Sequence, residues 1–338
     1  MWPAREPEPL PNILSSMKHQ MLPKTTPALS ASSIQIRRAE AVVNIAGGSV
    51  EPGAAEKLEA LVSEFGIEVR VTSAEPKAID AAVRKAVSAA PDLVIILAGD
   101  GTARLAAQLC GLSGPLVASL PGGTMNVLPN ALYKGLAWYD ALKVSLSEGM
   151  IRSVAGGEVD GHSFYVAAIL GTPALWTPAR EAIRSMDLRN AWSKARHALS
   201  HAFSGKLHFV LDHRRNLKAE ALAVLCPTVS RVCVDERAFE AAALNPEGAA
   251  DAFRLGLNTL KGDWRRDPSV SAERCLYAYA WAERPIPCIL DGELQMLGSK
   301  VEIKFKPTAF RALVPRQEGN REIELIADVN GYNFESPT

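Results

Sequence analysis

The sequence lacks a net charge and a membrane-spanning segment. Its 37 Lys and Arg residues balance 37 Asp and Glu residues, so no overall electrostatic field favours nucleic acid or an anionic membrane. No continuous apolar run approaches the roughly 20 residues that cross a bilayer. The beginning of the chain contains no basic segment leading into an apolar one, as a secretory leader would require. These absences predict a cytoplasmic protein that contacts membranes only peripherally.

Motifs of several enzyme classes are also missing. The five cysteines form no Cys-x-x-Cys pair, which indicates reduced thiols rather than a disulfide framework or a metal site. There is no Gly-Lys-Ser or Gly-Lys-Thr of a P-loop, no Gly-x-Gly-x-x-Gly, no His-Glu-x-x-His and no Gly-x-Ser-x-Gly. P-loop NTPases, classical dehydrogenases and serine hydrolases are therefore disfavoured.

The order of apolar segments predicts two domains of different type within the 338 residues. In residues 39–150, short apolar strands alternate with amphipathic helices, which predicts a doubly wound parallel α/β sheet. In residues 151–310, strands follow one another with few helices, which predicts a mainly antiparallel β domain. Residues 1–38 are rich in proline and are expected to be a flexible tail.

Several elements can be placed within these domains. Leu58, Leu61, Val62 and Phe65 share one face of a helix expected from Ala54 to Phe65. One strand is expected from Gly157 to Leu170, and one helical insertion between Pro178 and Phe203. The strands expected in the first domain are Ala41 to Ile45, Glu68 to Val71, Leu93 to Leu97 and Leu116 to Leu120.

Two glycine-rich loops follow neighbouring strands of the predicted α/β domain. The first is Gly99-Asp-Gly-Thr102, and the second is Pro121-Gly-Gly-Thr-Met-Asn126. Glycines let backbone N–H groups approach an anion closely, and the N-terminus of the following helix adds partial positive charge. Because the carboxyl ends of adjacent parallel strands open onto one crevice, the two loops together predict a phosphate site. The first loop alone is equally compatible with an ordinary turn between strand and helix.

Together with Asp291-Gly-Glu293 and the segment Pro307 to Pro315, the two loops resemble the diacylglycerol kinase catalytic-domain family. That family includes bacterial lipid kinases, sphingosine kinases and ceramide kinases. The resemblance covers roughly residues 40–315, with four motifs in the family's order. It implies a cytoplasmic enzyme of lipid metabolism that uses ATP and Mg²⁺ to phosphorylate a hydroxyl of diacylglycerol, a sphingoid base or ceramide. It also implies that a C-terminal segment at about 311–330 returns to the nucleotide-binding domain.

The resemblance further implies where the substrates bind. ATP would bind to the α/β domain, and the lipid would be presented by the β-rich domain. The positions that correspond to nucleotide-binding residues are Asn44, Thr72, Gly99, Asp100, Gly101, Thr102, Gly122, Gly123, Thr124 and Asn126.

The acidic triplet at Asp291-Gly-Glu293 is the expected source of the general base, with Glu293 and Asp291 as candidates. In an extended triplet the two carboxylates would point to opposite faces, so one alone would meet the substrate hydroxyl. Asp100 is the alternative candidate for the general base. The resemblance to sphingosine kinases implies that the aspartate of the glycine loop can take this role. The triplet is also compatible with an Asp-Gly hairpin turn between Ile289 and Leu294.

The chain departs from the family's pattern at Ala98, Leu105, Val127 and Cys226. In addition, residues 243–250 lack the Asp-Gly pair that helps bind a structural Mg²⁺ in some bacterial members, so a dedicated structural metal site is in doubt. These departures keep a weakened enzyme or a non-catalytic nucleotide or lipid sensor as alternatives. An NAD kinase, whose superfamily shares the Gly-Asp-Gly loop, is the other alternative.

The segment from Trp176 to Lys206 has the chemistry of a membrane-docking surface. It contains six basic residues against two acidic ones, and tryptophan and basic side chains suit lipid headgroups. The residues expected to dock are Trp176, Arg180, Arg184, Trp192, Lys194 and Arg196. A helix that covers the β-rich domain is the competing interpretation. A second, weaker basic cluster comprises Lys261, Trp264, Arg265 and Arg266. The expected partners are ATP, a lipid and a membrane surface, not nucleic acid, and a homodimer is left open.

Overall fold

The computed structural model describes residues 35–171, 207–212, 214–230, 233, 236–245 and 264–316. Most of the predicted N-terminal tail lies outside these ranges. The predicted helical insertion also lies outside them, as do all six residues that were expected to dock to a membrane.

The first half of the described chain alternates strands with helices. In chain order these elements are β1 Arg38–Asn44, α1 Ala54–Glu64, β2 Glu68–Ala74, α2 Ile79–Ser88, β3 Leu93–Ala98, α3 Asp100–Cys110, β4 Leu116–Pro121, α4 Val127–Tyr133 and α5 Trp138–Glu148. The four strands pair in the order β2-β1-β3-β4, and all of them are parallel. The carboxyl ends of β1, β3 and β4 therefore lie at one edge of the sheet.

Burial explains why these segments take these forms. All six residues of β3 are apolar and buried, as a central parallel strand covered on both faces requires. On α1, Leu58, Leu61 and Val62 are buried at helical spacing. Phe65, which was expected on the same face, instead follows the last helical residue and is exposed, because the helix ends at Glu64.

The second half of the described chain consists mainly of strands. They are β5 Gly149–Val159, β6 His162–Phe164, β7 Ala167–Gly171, β8 Leu207–Leu211, β9 Leu217–Ala219, β10 Ala221–Leu225, β11 Phe239–Leu244, β12 Val270–Cys275, β13 Tyr277–Trp281, β14 Ile286–Leu290, β15 Glu293–Leu297 and β16 Lys300–Pro315. Six of them form an antiparallel sheet in the order β12-β11-β10-β7-β14-β15. The predicted fold class, an α/β domain followed by mainly antiparallel β structure, is confirmed.

The single strand predicted from Gly157 to Leu170 is wrong. The chain reverses at Asp160 and Gly161, whose φ angles of 48° and 79° lie in the left-handed region typical of tight hairpin turns. The segment is therefore divided among β5, β6 and β7.

Strand β16 joins the two halves of the chain. Its first residues pair with β13, and further along Ala312 pairs in parallel with Val117 of β4. β5 pairs antiparallel with it on both sides of a register shift between Lys306 and Phe310. Of the segment at 311–330 that was predicted to return to the first domain, only positions up to 316 are described, and residues 311–315 lie against β5.

Burial also determines the state of the cysteines. All five are buried and none forms a disulfide. Burial raises the pKa of Cys110, Cys275 and Cys288 to about 12, which keeps these thiols protonated and unreactive at neutral pH. Within the described ranges, none of the helices is long and apolar enough to cross a membrane.

Candidate active site

The loops that follow β3 and β4 meet at the carboxyl edge of the parallel sheet. The backbone N–H of Gly122 donates to the carbonyl of Ala98 at 3.0 Å. A Cβ atom added to Gly123 would lie 2.5 Å from the Cα of Gly99, which is far closer than real Cβ contacts allow. Position 123 thus requires glycine where the two loops touch. The structure brings together the two glycine-rich segments that the sequence analysis identified.

A third loop, at Gly47-Gly48-Ser49 after β1, belongs to the same edge. The Ser49 backbone N–H donates to the carbonyl of Gly122 at 3.2 Å, and its hydroxyl donates to the carbonyl of Gly123 at 2.7 Å. A Cβ atom at Gly47 would lie 2.3 Å from the Gly122 carbonyl oxygen. Sequence reasoning missed this loop, although two glycines and a serine directly after an apolar strand are the signal that identified the other loops.

Both predicted nucleotide-binding asparagines stabilise the loops themselves. The buried Asn126 has a φ of 50°, its Oδ1 accepts the Gly123 N–H at 2.7 Å, and its Nδ2 donates to the Gly123 carbonyl at 2.8 Å. The Oδ1 of Asn44 accepts the N–H of Ala46 at 3.1 Å, which holds the turn after β1. Their side chains therefore shape the loops.

Thr72 does not lie where the sequence placed it. It was expected just after the second strand, but β2 continues to Ala74, and Thr72 pairs with Val42 inside the strand. The strand extends because β2 pairs with β1 up to Asn44.

The acidic triplet forms the turn of the β14–β15 hairpin. Asp291 and Gly292 have φ angles of 48° and 92°, as a tight two-residue turn requires, and Leu290 pairs with Glu293 across it. Both sequence interpretations of the triplet therefore describe the same structure. It is an Asp-Gly hairpin turn, and it carries two carboxylates.

The carboxylate of Asp291 is fully engaged by the backbone. Its Oδ1 accepts N–H groups of Val166 and Ala167 at 2.8 and 2.9 Å, and its Oδ2 accepts that of Tyr165 at 2.8 Å. Its own N–H donates to the carbonyl of Ala167 at 2.9 Å. Asp291 thus fastens the hairpin turn to the segment before β7.

Glu293 reaches across to the first glycine loop. A Cβ atom at Gly101 would lie 2.5 Å from the Oε1 of Glu293. Arg104, one helical turn further along α3, donates from its Nη2 to the Oε2 of Glu293. The Glu293 side chain is 50% exposed, and that of Arg104 is 15% exposed. A solvent-accessible carboxylate of the antiparallel sheet therefore lies beside the first turn of α3.

Asp100, the third predicted carboxylate, begins α3. Its Oδ1 accepts the N–H of Leu128, near the start of α4, at 3.0 Å. This bond ties the two loop-to-helix junctions together. Among the three predicted carboxylates, Glu293 is the one without a backbone N–H donor in the described part of the chain.

One member of the predicted basic cluster near Trp264, Arg265, is paired inside the protein, and Lys261 lies outside the described residues. Arg265 donates to both carboxylate oxygens of the buried Glu240, and its guanidinium lies 4.4 Å from the centre of the Trp264 ring. The charge of Arg265 is therefore matched inside the protein and is not presented to lipid headgroups. In the part of the chain that the structure describes, no three His, Cys, Asp or Glu side chains are grouped to hold a metal ion.

The burial of Asp291 leads to a prediction about stability. Burial raises the pKa of this carboxyl to about 6, although the N–H groups of Tyr165, Ala167 and Val166 oppose the shift. Because the folded protein binds this proton more tightly than the unfolded chain, the contribution of Asp291 to stability should be greatest below pH 4 and be lost as the pH rises through about 6. The loss should amount to at most about 3 kcal/mol.

Urea unfolding of the wild-type protein and of Asp291→Asn between pH 4 and 7.5 measures this contribution. We expect the difference in unfolding free energy between the two proteins to change across the window, since the variant has no proton to lose. A difference that stays constant with pH would contradict the raised pKa of Asp291.

Comparisons with known proteins agree with this fold. Residues 38–159 match the sequence profile of the diacylglycerol kinase catalytic domain. A search of curated proteins finds no significant match. Among solved structures, the chain is similar to a putative diacylglycerol kinase from Bacillus anthracis str. Sterne, with a TM-score of 0.64 and 15% identity, covering 83% of this chain and 98% of that one.

Two further structures extend the comparison. A diacylglycerol kinase from the same Bacillus anthracis strain has a TM-score of 0.60 and 14% identity, again covering 83% of this chain and 98% of that one. An NAD kinase from Archaeoglobus fulgidus, in complex with ATP, has a TM-score of 0.48 and 10% identity over 88% of this chain and all of that one. At these identities the Bacillus structures show the fold alone, and the NAD kinase is too distant to support an argument.

Proposed function

We propose, from the match of residues 38–159 to the diacylglycerol kinase catalytic domain, that the protein is an ATP-dependent lipid kinase. It transfers the γ-phosphate of ATP to a hydroxyl of diacylglycerol, a sphingoid base or ceramide. The match and the similar folds of the Bacillus structures support a kinase-type fold. The lipid acceptor is the part that we propose.

The contact between Glu293 and Gly101 is the observation that carries this proposal. Glu293 begins β15 of the antiparallel sheet, whereas Gly101 lies in the first turn of α3, in a distant part of the sequence. A Cβ atom at Gly101 would nevertheless lie 2.5 Å from the Glu293 Oε1. A carboxylate at the edge of a phosphate-binding loop is placed to meet a hydroxyl that attacks the terminal phosphate. A general base must lie within hydrogen-bond reach of the proton that it accepts.

The proposed reaction divides the work between the two sheets. The N-terminus of α3 and the glycine-loop N–H groups that have no acceptor among the described residues hold the phosphates of ATP, with partial positive charge from the helix. The N–H groups of Gly122 and Gly123 are not among them, because they donate to Ala98 and Asn126. The lipid hydroxyl attacks the γ-phosphorus while its proton passes to Glu293. The bond from that phosphorus to the bridging oxygen breaks, and its electron pair remains on ADP. Because the transition state is loose, most of the acceleration comes from positioning and charge.

The other two predicted carboxylates act indirectly in this scheme. Asp291 is a positioning residue, because its backbone hydrogen bonds fix the turn that presents Glu293. Asp100 holds the N-terminal ends of α3 and α4 together through Leu128. Neither carboxylate is as free to accept a proton from substrate as Glu293, although Asp100 keeps its second oxygen.

Mg²⁺ enters the proposal with ATP. The described residues contain no cluster of ligating side chains and so do not fit a dedicated protein site for this ion. Phosphate oxygens of a nucleotide are common Mg²⁺ ligands in kinases, and the bound ion neutralises phosphate charge.

An exposed apolar side chain of the second glycine loop supports a lipid acceptor. Met125 is 50% exposed. Leu294 and Met296 of β15 are also exposed, at 46% and 61%, but strand alternation places them on the face away from Glu293. An acceptor with an apolar portion can cover Met125, whereas a fully polar acceptor gains nothing from it. Peripheral docking through Trp176 to Lys206 stays a prediction.

Product analysis with labelled ATP tests the acceptor. The full chain is incubated with Mg²⁺ and, separately, with diacylglycerol, a sphingoid base, ceramide, NAD or no acceptor. We expect label in one of the lipids, and this label should be lost in Glu293→Gln. Labelled NADP in place of a labelled lipid would make the protein an NAD kinase. Tight nucleotide binding without any labelled product would make it a sensor.

A further inference from the structure

Arg104 occupies a position in the candidate site that the reaction described above does not use. It lies on α3, and its side chain is only 15% exposed. Side chains of an α-helix lean toward the helix N-terminus, so that of Arg104 extends back toward Gly101. Its contact with Glu293 shows where the guanidinium ends, beside the first turn of α3.

The guanidinium of Arg104 has an N–H donor without a hydrogen-bond partner among the described residues. One nitrogen, Nη2, donates to Glu293. The Nε is buried and has no hydrogen-bond partner among the described residues. Buried donors are normally satisfied, so an exception calls for an explanation. An anion with several oxygens at the α3 N-terminus would supply the missing acceptors.

The ion pair also conflicts with the proposed role of Glu293. One of its carboxylate oxygens accepts from Arg104, and the other lies against Gly101. A general base must offer an oxygen to the substrate hydroxyl. The pairing therefore describes the protein before substrates arrive, and Arg104 needs another anionic partner when Glu293 acts.

We propose that Arg104 is a further catalytic residue, which leaves Glu293 when ATP binds and donates its N–H groups to oxygens of the transferred γ-phosphoryl group. This inference rests on the proposed kinase function. The planar guanidinium presents several N–H donors, and in the loose transition state charge is spread over three phosphoryl oxygens. Arg104 transfers no proton. It neutralises charge while the hydroxyl proton passes to the released Glu293 and the electron pair of the broken bond stays on ADP.

Arg104→Met tests the inference because it keeps an apolar side chain in the same space without charge or donors. We expect kcat to fall by about 10²- to 10³-fold, as when one pre-organised donor to a developing charge is removed, with the KM for the lipid little changed. We also expect the variant to lose the preference for ATP over ADP in binding titrations, because only ATP carries the γ-phosphate. Arg104→Lys keeps the positive charge but not the planar set of N–H donors. It should retain part of the kcat and part of the preference for ATP over ADP.

Arg214→Met is the matched control, since Arg214 also forms an ion pair with a glutamate, Glu273, but at the surface. It should leave kcat and the preference for ATP unchanged. The inference about Arg104 is overturned if Arg104→Met keeps kcat within threefold of the wild type. It is also overturned if kcat falls while the preference for ATP over ADP stays intact, because Arg104 would then act only through Glu293.

The failure of this inference is distinguishable from that of the proposed function. A wild-type protein that labels no lipid defeats the lipid kinase proposal, whatever the variants do. A wild-type protein that labels a lipid, together with an equally active Arg104→Met, defeats only the role of Arg104. If Arg104→Met does not fold, as judged by circular dichroism, the same two measurements on Arg104→Lys decide between the outcomes.

Discussion

Replacing Glu293 by Gln is expected to lower kcat for lipid phosphorylation by about 10²- to 10⁴-fold, the usual contribution of a positioned general base. The substitution keeps the size of the side chain and removes its ability to accept the hydroxyl proton. The affinity for ATP should not fall, because the phosphates are not held by Glu293, and the loss of the carboxylate only removes the ion-pair partner of Arg104. Steady-state kinetics and a binding titration with ATP measure the two quantities on the same preparation.

Glu273→Gln is the matched control for this prediction. Glu273 lies on β12, at the opposite edge of the same antiparallel sheet, and it also pairs with an arginine. We expect the control to keep the wild-type kcat. A Glu293→Gln variant with kcat within threefold of the wild type would exclude Glu293 as the base. Asp100, whose Oδ2 accepts no hydrogen bond from the described residues, would then be the next candidate.

The second large effect is expected from Gly123→Ala. The added methyl group would lie 2.5 Å from the Cα of Gly99 and 3.1 Å from the Oδ1 of Asn126. The first of these atoms belongs to the backbone and cannot move aside cheaply, so the two glycine loops must separate. We expect the affinity for ATP to fall at least tenfold. The free energy of unfolding should fall by about 1–3 kcal/mol, as for other overpacked sites.

Two other glycines provide controls for Gly123→Ala. At Gly99 an added Cβ would come no closer than 3.6 Å to the Cα of Gly123, so Gly99→Ala should preserve stability although it belongs to the same contact. Gly298 lies near the end of the β14–β15 hairpin, where an added Cβ would meet its nearest atom at 3.5 Å. Gly298→Ala should preserve both stability and the affinity for ATP. Thermal unfolding that is equally affected in Gly99→Ala and Gly123→Ala would contradict the proposed clash.

The contacts of the acidic hairpin could not be predicted from a local sequence pattern. The sequence identified Asp291 and Glu293 as candidates but could not choose between them. The two carboxylates lie only two positions apart, and the contacts that distinguish them come from distant parts of the chain. The structure shows that Asp291 accepts N–H groups from residues 124 to 126 positions earlier in the chain. Glu293 contacts Arg104, which is 189 positions away. No local pattern contains these partners.

The two glycine loops present the opposite case. Gly99 to Thr102 and Pro121 to Asn126 were identified from composition and from the strands before them, and both loops lie where parallel strands place them. The loop at Gly47 to Ser49 was missed although Asn44, shortly before it, was identified. Its hydrogen bonds to Gly122 and Gly123 depend on how β1 and β4 are arranged in the sheet.

The sequence by itself determined the parallel sheet, the antiparallel sheet and the two glycine loops, because buried strands, amphipathic helices and tight turns depend on neighbouring residues. Only the tertiary structure decided which carboxylate of the acidic hairpin lies beside the first turn of α3 and that Arg104, on that helix, pairs with it. Those contacts follow from the register of the β14–β15 hairpin and from the way the two sheets meet, with β16 pairing with strands of both halves of the chain. Such long-range pairing is fixed by the packing of the whole molecule, which short segments do not encode.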